Sequence, residues 1–183
     1  PDLFWGVRGG GGNFGVVTSF EFALHPMARE VIGGDLMFPI SRARELVNFY
    51  AEYAASAPEY LYVDAGMAAP PGGRDGIFEF GVCYSGPPGD AERVLAPLRK
   101  LGKPLSDSIG PMDYVALQRS GDVRDARNFG TYLKSGFVDD FPAALPAAIV
   151  DGFRADPERF TALFFQQSGG AIGKVASDAT AFP

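Results

Sequence analysis

The chain has 183 residues, 46% of them apolar, 21% charged and 13% aromatic, with a formal net charge of −6. This is the composition of a globular protein, which excludes disorder as the ground reading, and the acidic balance without a basic stripe excludes nucleic acid as a partner. One cysteine and one histidine, Cys83 and His25, exclude an internal disulfide and a Cys/His metal centre, so no metal is expected; no apolar run approaches the roughly 20 residues of a membrane helix, so no membrane partner is expected either.

In chain order, the first landmark is Arg8-Gly9-Gly10-Gly11-Gly12-Asn13-Phe14-Gly15. Behind it, Val16, Thr18, Phe20, Phe22 and Leu24 alternate with Val17, Ser19, Glu21 and Ala23, which predicts a strand that His25-Pro26 ends. Val31 to Ile40 predicts a second strand. Ser41 is placed as the N-cap of a helix that carries Ala43, Leu46, Val47, Tyr50, Ala51 and Ala54 on one face and ends before Pro58. Tyr60 to Ala69 and Ile77 to Tyr84 predict two strands joined by the loop Pro70 to Gly76. Asp90 is placed as the cap of a helix with Ala91, Val94, Leu95, Leu98 and Leu101 on one side, ended by Gly102. Pro104 to Ile109 predicts a fifth short strand.

Residues 31 to 110 thus read β-α-β-β-α-β, the split arrangement of an antiparallel sheet with helices on one face, and the fold class is α+β. Short helices are predicted near Tyr114 to Gln118 and Ala143 to Phe153. Strands at Thr131 to Val138, Thr161 to Gln167 and Ala171 to Val175 would extend the same sheet. Asp139-Asp140 read as a helix entry.

Gly10, Gly12 and Gly15 satisfy G-x-G-x-x-G, but a dinucleotide fingerprint needs a strand before it and a helix after it. Here a strand is predicted after it. A P-loop would need Lys-Ser/Thr where Val16-Val17 stand. Two readings stay open: a flexible entry to an edge strand, or a backbone-lined turn that lets a flat or phosphorylated ligand approach without Cβ clashes.

The stretch Asp2-Leu3-Phe4-Trp5, then Arg8 to Gly15, then Val16-Val17-Thr18-Ser19-Phe20, then Leu24-His25-Pro26, resembles the segment that closes the FAD-binding domain of the berberine-bridge-enzyme-like flavin oxidases, in the vanillyl-alcohol-oxidase or PCMH-type superfamily. Gly169-Gly170-Ala171-Ile172 and Ala179-Thr180-Ala181-Phe182-Pro183 resemble a second motif of the same family. The resemblance implies an FAD oxidoreductase that oxidises an alcohol, sugar or amine by hydride transfer to flavin, with O₂ as electron acceptor. It implies that residues 1–26 end the FAD-binding domain and that residues 27–183 are the substrate-binding domain, with both chain ends cut from something longer. It assigns Arg8, Gly9, Gly10, Gly11, Gly12, Asn13, Phe14 and Gly15 to the cofactor. The flavin tether and the catalytic base are expected outside the chain, the base beyond Pro183, so the chain alone is expected to be inactive and free of FAD.

For the substrate pocket, Tyr132 and Lys134 alternate on a predicted strand, and Tyr132 reads either as a pocket residue or as a half-buried tyrosine with a wet tip. Of Gln166 and Gln167, one must point to each side of the sheet. The competing reading is a stand-alone ferredoxin-like module that binds a small molecule or dimerises through its sheet; a dimer through the exposed surface that would face the FAD domain is an expected consequence of truncation. Location stays open between cytoplasm and secretion.

Overall fold

Side chains two apart along a strand share a face, so a run of alternating apolar residues can bury only against a layer on one side. In the computed structural model three such runs meet. The structure describes residues 2–70, 76–122, 132–138, 141–153, 158 and 160–182. It divides the chain into two compact units, Pro1–Met27 with Ser168–Pro183, and Ala28–Gln167.

The first unit holds the helix α1 (Asp2–Val7) and 3₁₀ turns over Gly12–Phe14 and Ile172–Lys174. The second unit contains, in order, β1 (Glu30–Pro39), α2 (Ala43–Ala55), β2 (Leu61–Ala69), β3 (Ile77–Tyr84), α3 (Ala91–Arg99), β4 (Ser106–Asp107), β5 (Gly110–Asp113), α4 (Tyr114–Arg119), α5 (Leu145–Phe153) and β6 (Thr161–Phe165). The sheet runs β4-β1-β3-β2-β6, with β5 also paired to β1, and every pairing is antiparallel. This is the expected α+β class, with β3 inserted between β1 and β2 as the split arrangement requires.

Register follows from burial. Leu36, Phe80 and Ala65 form one row across the three central strands, and Phe38, Phe78 and Met67 form the next; all six are buried. A slip of one residue would turn each row to the other face. Helix α2 covers the rows with Leu46, Val47, Tyr50 and Tyr53, and α3 with Ala91, Val94, Leu95 and Leu98. Helix α5 adds Val150 and Phe153 to the same core. Burying each large side chain contributes about 1.5–3 kcal/mol. The Tyr53 hydroxyl donates to the Val94 carbonyl at 2.8 Å and ties α2 to α3.

Several sequence expectations shift. Val16 to Leu24 is not a strand: Phe20 and Phe22 stack at 5.6 Å, as residues two apart on an extended chain can, but no described segment pairs with them. A strand needs a neighbour for its N–H and C=O groups, and alternation alone does not supply one. Tyr132 to Val138 is irregular and exposed, and Thr131 lies outside the described residues, as do Asp139, Asp140 and Pro71 to Asp75 of the loop. Ala171 to Val175 is no strand but a 3₁₀ turn, with Lys174 N–H on Ala171 O and Val175 N–H on Ile172 O.

The expected strand Pro104 to Ile109 shrinks to β4, and β5 follows just beyond its end. Side chains interrupt its ladder: Ser108 Oγ accepts Asp35 N–H at 2.8 Å and Asp107 Oδ1 accepts Ile109 N–H at 3.0 Å. Neither Ser41 nor Asp90 caps its helix through its side chain. Ser41 lies within a 3₁₀ turn over Ile40–Arg42, and Asp90 pairs with Arg93 at 3.2 Å. The side-chain cap that does form is Asp113 on α4, accepting from Val115 and Ala116 N–H.

The buried hydroxyl of Tyr50 has no hydrogen-bond partner among the described residues, whereas that of Tyr53 is bonded. Tyr50→Phe is therefore expected to be neutral or stabilising, while Tyr53→Phe should cost about 1 kcal/mol. Urea unfolding of both variants checks this, and equal losses would mean that Tyr50 is also bonded.

Candidate functional site

Each unit carries a group of residues with chemistry to offer. In the first unit the glycine run follows directly from α1. Gly10 N–H donates to Gly6 O at 3.0 Å, and Arg8 lies over the Phe4 ring at 4.6 Å while its Nε–H reaches Phe4 O at 3.4 Å.

The glycines are not equivalent. A Cβ on Gly9 would meet the backbone of Phe182, and one on Gly10 would sit 2.5 Å from the Phe14 ring. Around Gly11, Gly12 and Gly15, apart from their chain neighbours, no described residue lies within 4 Å of where a Cβ would stand. Gly11 and Gly15 also take φ of +81° and +136°, values that L side chains avoid. The run therefore has a packed half and an open half. Asn13 is exposed beside the open half, and Phe14 is 44% exposed with one edge on Gly6 and Gly10.

In the second unit α2, α3 and α5 cover one sheet face. On the other face, α4 shields the β1 end: Leu117 and Met112 press on Gly33. Next to them the sheet presents carboxylates. Asp35, Gly81 and Asp64 occupy one row across β1, β3 and β2, and Glu79 stands in the row beside it, between Met37 and Gly66. The Asp64 carboxyl lies over Gly81, where a Cβ would leave it no room. Burial pushes its pKa up to about 6; the Gly81 N–H opposes this, and the charges of Glu79 and Asp35 add to it. Tyr62 and Cys83 are paired in the adjacent row, and burial raises both of their pKa values.

The glutamines separate. Gln167 Oε1 accepts Val63 N–H at 3.3 Å and its Nε2 donates to Ala54 O at 3.0 Å, so its side chain closes the sheet edge against α2. Gln166 is exposed, two residues on from exposed Phe164, on the face that carries Asp64. Tyr132 is 84% exposed, with Lys134 Nζ 5.8 Å from its ring centroid. Among the described residues no hydrogen bond or ring contact joins Tyr132 or Lys134 to either glutamine. Asp64 is the residue that sequence reasoning missed, and its signal was a lone carboxylate inside the apolar run Leu61 to Ala69.

No protein-family model matches the chain. It is 25% identical over 178 residues to an FAD-linked oxidoreductase of Dictyostelium discoideum, covering 97% of this chain and 38% of the relative. It is 28% identical over 185 residues to the uncharacterized FAD-linked oxidoreductase YgaK of Bacillus subtilis, covering 100% and 40%. The chain resembles the berberine-bridge-enzyme-like FAD-linked oxidoreductases. It is also 31% identical over 118 residues to (R)-6-hydroxynicotine oxidase of Paenarthrobacter nicotinovorans, covering 62% of this chain and 25% of that enzyme. In fold it matches a variant of berberine bridge enzyme solved with (S)-reticuline, with a TM-score of 0.66, 17% identity, and coverage of 98% of this chain and 38% of the other. The chain thus spans at most about two-fifths of these relatives.

Asp64 gives a pH signature. Its folded pKa of about 6 stands above the ordinary 3.8, so its contribution to stability is full below pH 4 and is lost as pH rises through 6. Urea midpoints of the parent should therefore fall relative to those of Asp64→Asn between pH 4 and pH 7. Parallel curves would mean that Asp64 titrates normally.

Proposed function

We propose that the intact protein is an FAD-dependent oxidoreductase that oxidises an alcohol, sugar or amine, with O₂ as the electron acceptor. Residues 1–26 close its FAD-binding domain, and the sheet and helices of residues 28–167 form the core of its substrate-binding domain. The division of the chain into compact units beside Met27 supports that boundary, and the named relatives support the class of chemistry. On its own, the 183-residue chain is inactive.

The observation that carries the reading is the open half of the glycine run. Ordering consecutive glycines costs more conformational entropy than ordering any other residues, and packing accounts only for Gly9 and Gly10. A wall without Cβ atoms at Gly11, Gly12 and Gly15 suits the close approach of a nucleotide cofactor, with main-chain N–H groups and the Arg8 charge beside it. Arg8, Gly11, Gly12, Asn13 and Gly15 would hold FAD, while Gly9, Gly10 and Phe14 shape the turn. Bound flavin supplies a hydride acceptor.

On the substrate side, Tyr62, Asp64 and Gln166 share the sheet face opposite α2 and α3. With its pKa raised by burial to about 6, Asp64 offers that face a carboxyl that exchanges a proton near neutrality, in addition to the base expected beyond Pro183. Tyr132 and Lys134 offer a hydroxyl and a cation from an exposed segment. Gln167 serves the fold.

The test is the visible spectrum of the protein expressed at the natural length of its gene, before and after acid precipitation. Flavin absorbance is expected, and colour in the pellet would add a covalent tether. A folded, colourless protein that takes up no added FAD would overturn the proposal and leave a stand-alone binding module. Gly12→Ala sharpens the test. Its Cβ enters open space, so the melting temperature should hold while FAD affinity falls about tenfold or more.

A further inference from the structure

We infer that the segment Asp178 to Phe182 is the positioning element of the glycine turn, with Trp5 and Ala181 as the positioning residues that hold it there. The consequence for the cofactor rests on the function proposed above; the mechanical claim does not.

Three contacts carry it. The Trp5 indole N–H donates to Asp178 O at 2.8 Å. Ala181 N–H donates to Arg8 O at 3.0 Å. Gly9, at φ +100°, receives the Phe182 backbone, whose N and Cα lie 2.7 and 2.9 Å from where a Gly9 Cβ would stand. Residues 5, 8 and 9 meet residues 178, 181 and 182, so the spacing is the same on both sides. On the helix side this is i, i+3, i+4, one face of α1 continued past its end.

That face needs the support. Helix α1 has six residues, too few to persist in water by its own hydrogen bonds. Four glycines follow it, each costing about 1–2 kcal/mol to order. Gly9 is where the chain leaves the helical path, and an alanine there would suffer both the left-handed φ and the clash with Phe182. The segment therefore fixes the turn from behind. At Gly11, Gly12 and Gly15, apart from their chain neighbours, no described atom comes within 4 Å of where a Cβ would stand, so the segment aims these positions without covering them. Thr180 braces the segment itself, its Oγ1 accepting Phe182 N–H at 3.4 Å.

The experiment uses the full-length protein in two forms, cofactor-free and titrated with FAD. Trp5→Phe removes the indole donor, Ala181→Pro removes the amide donor, and Ala181→Gly keeps that amide. In the cofactor-free protein, amide exchange over residues 8–15 should rise about fivefold in the first two variants, the worth of one net hydrogen bond. FAD affinity should fall by a similar factor, with an altered visible circular dichroism of bound flavin. Thermal melting of residues 28–167 should not move, and Ala181→Gly should behave as the parent. Unchanged exchange in both Trp5→Phe and Ala181→Pro would overturn the inference, as would equal effects of Ala181→Gly and Ala181→Pro. Faster exchange in a protein that never binds FAD would support the positioning role and refute the proposed function alone.

Discussion

The register of β3 between β1 and β2 governs the second unit. The rows Leu36–Phe80–Ala65 and Phe38–Phe78–Met67 turn the buried side chains of the three strands into the core beneath α2 and α3. Once that face is set, the alternate residues have no choice. Asp35, Asp64 and Glu79 go to the opposite face because Leu36, Ala65 and Phe80 go inward. The chemical character of the outer face is thus a by-product of core packing. It becomes specific through Gly81, whose missing side chain leaves space for the Asp64 carboxyl and lets burial raise its pKa.

The first unit rests on a different constraint. It has no sheet and little core, and many of its large apolar side chains are exposed, Val16, Phe20, Phe22 and Leu24 among them. Its order comes from contacts between residues far apart in sequence, Trp5 with Asp178 and Arg8 with Ala181. Such contacts close a long loop, and the entropy of closing it grows only slowly with length. The fold of residues 28–167 lies between those two stretches in the chain, so the turn and its support belong together although sequence order separates them.

The glycines are of two kinds. Gly81 and Gly9 are places where another part of the protein comes too close for a Cβ. Gly11, Gly12 and Gly15 face open space. A glycine that packing explains needs no ligand, and one that packing leaves unexplained invites one. That distinction divides a run of residues that the sequence presents as uniform.

The sequence pattern by itself determined the strands β1, β2 and β3, the helices α2 and α3, and the α+β class, because burial on one face of each of these elements is written as a repeat of two or 3.6 residues, and it also placed α4, α5 and β6. The glycine run and its neighbours also carry the flavin-oxidase resemblance in the sequence alone. What the sequence could not decide needed a partner to be seen. Val16 to Leu24 alternates as a strand should, yet pairing depends on a neighbour that alternation does not name. Gln166 and Gln167 are the same residue type side by side, and only the end of β6 against Val63 and Ala54 shows which of them the backbone occupies. Asp64 is an ordinary carboxylate in the sequence. Its raised pKa exists only where β2 meets β3, because desolvation and neighbouring charge belong to the assembled sheet and not to the residue.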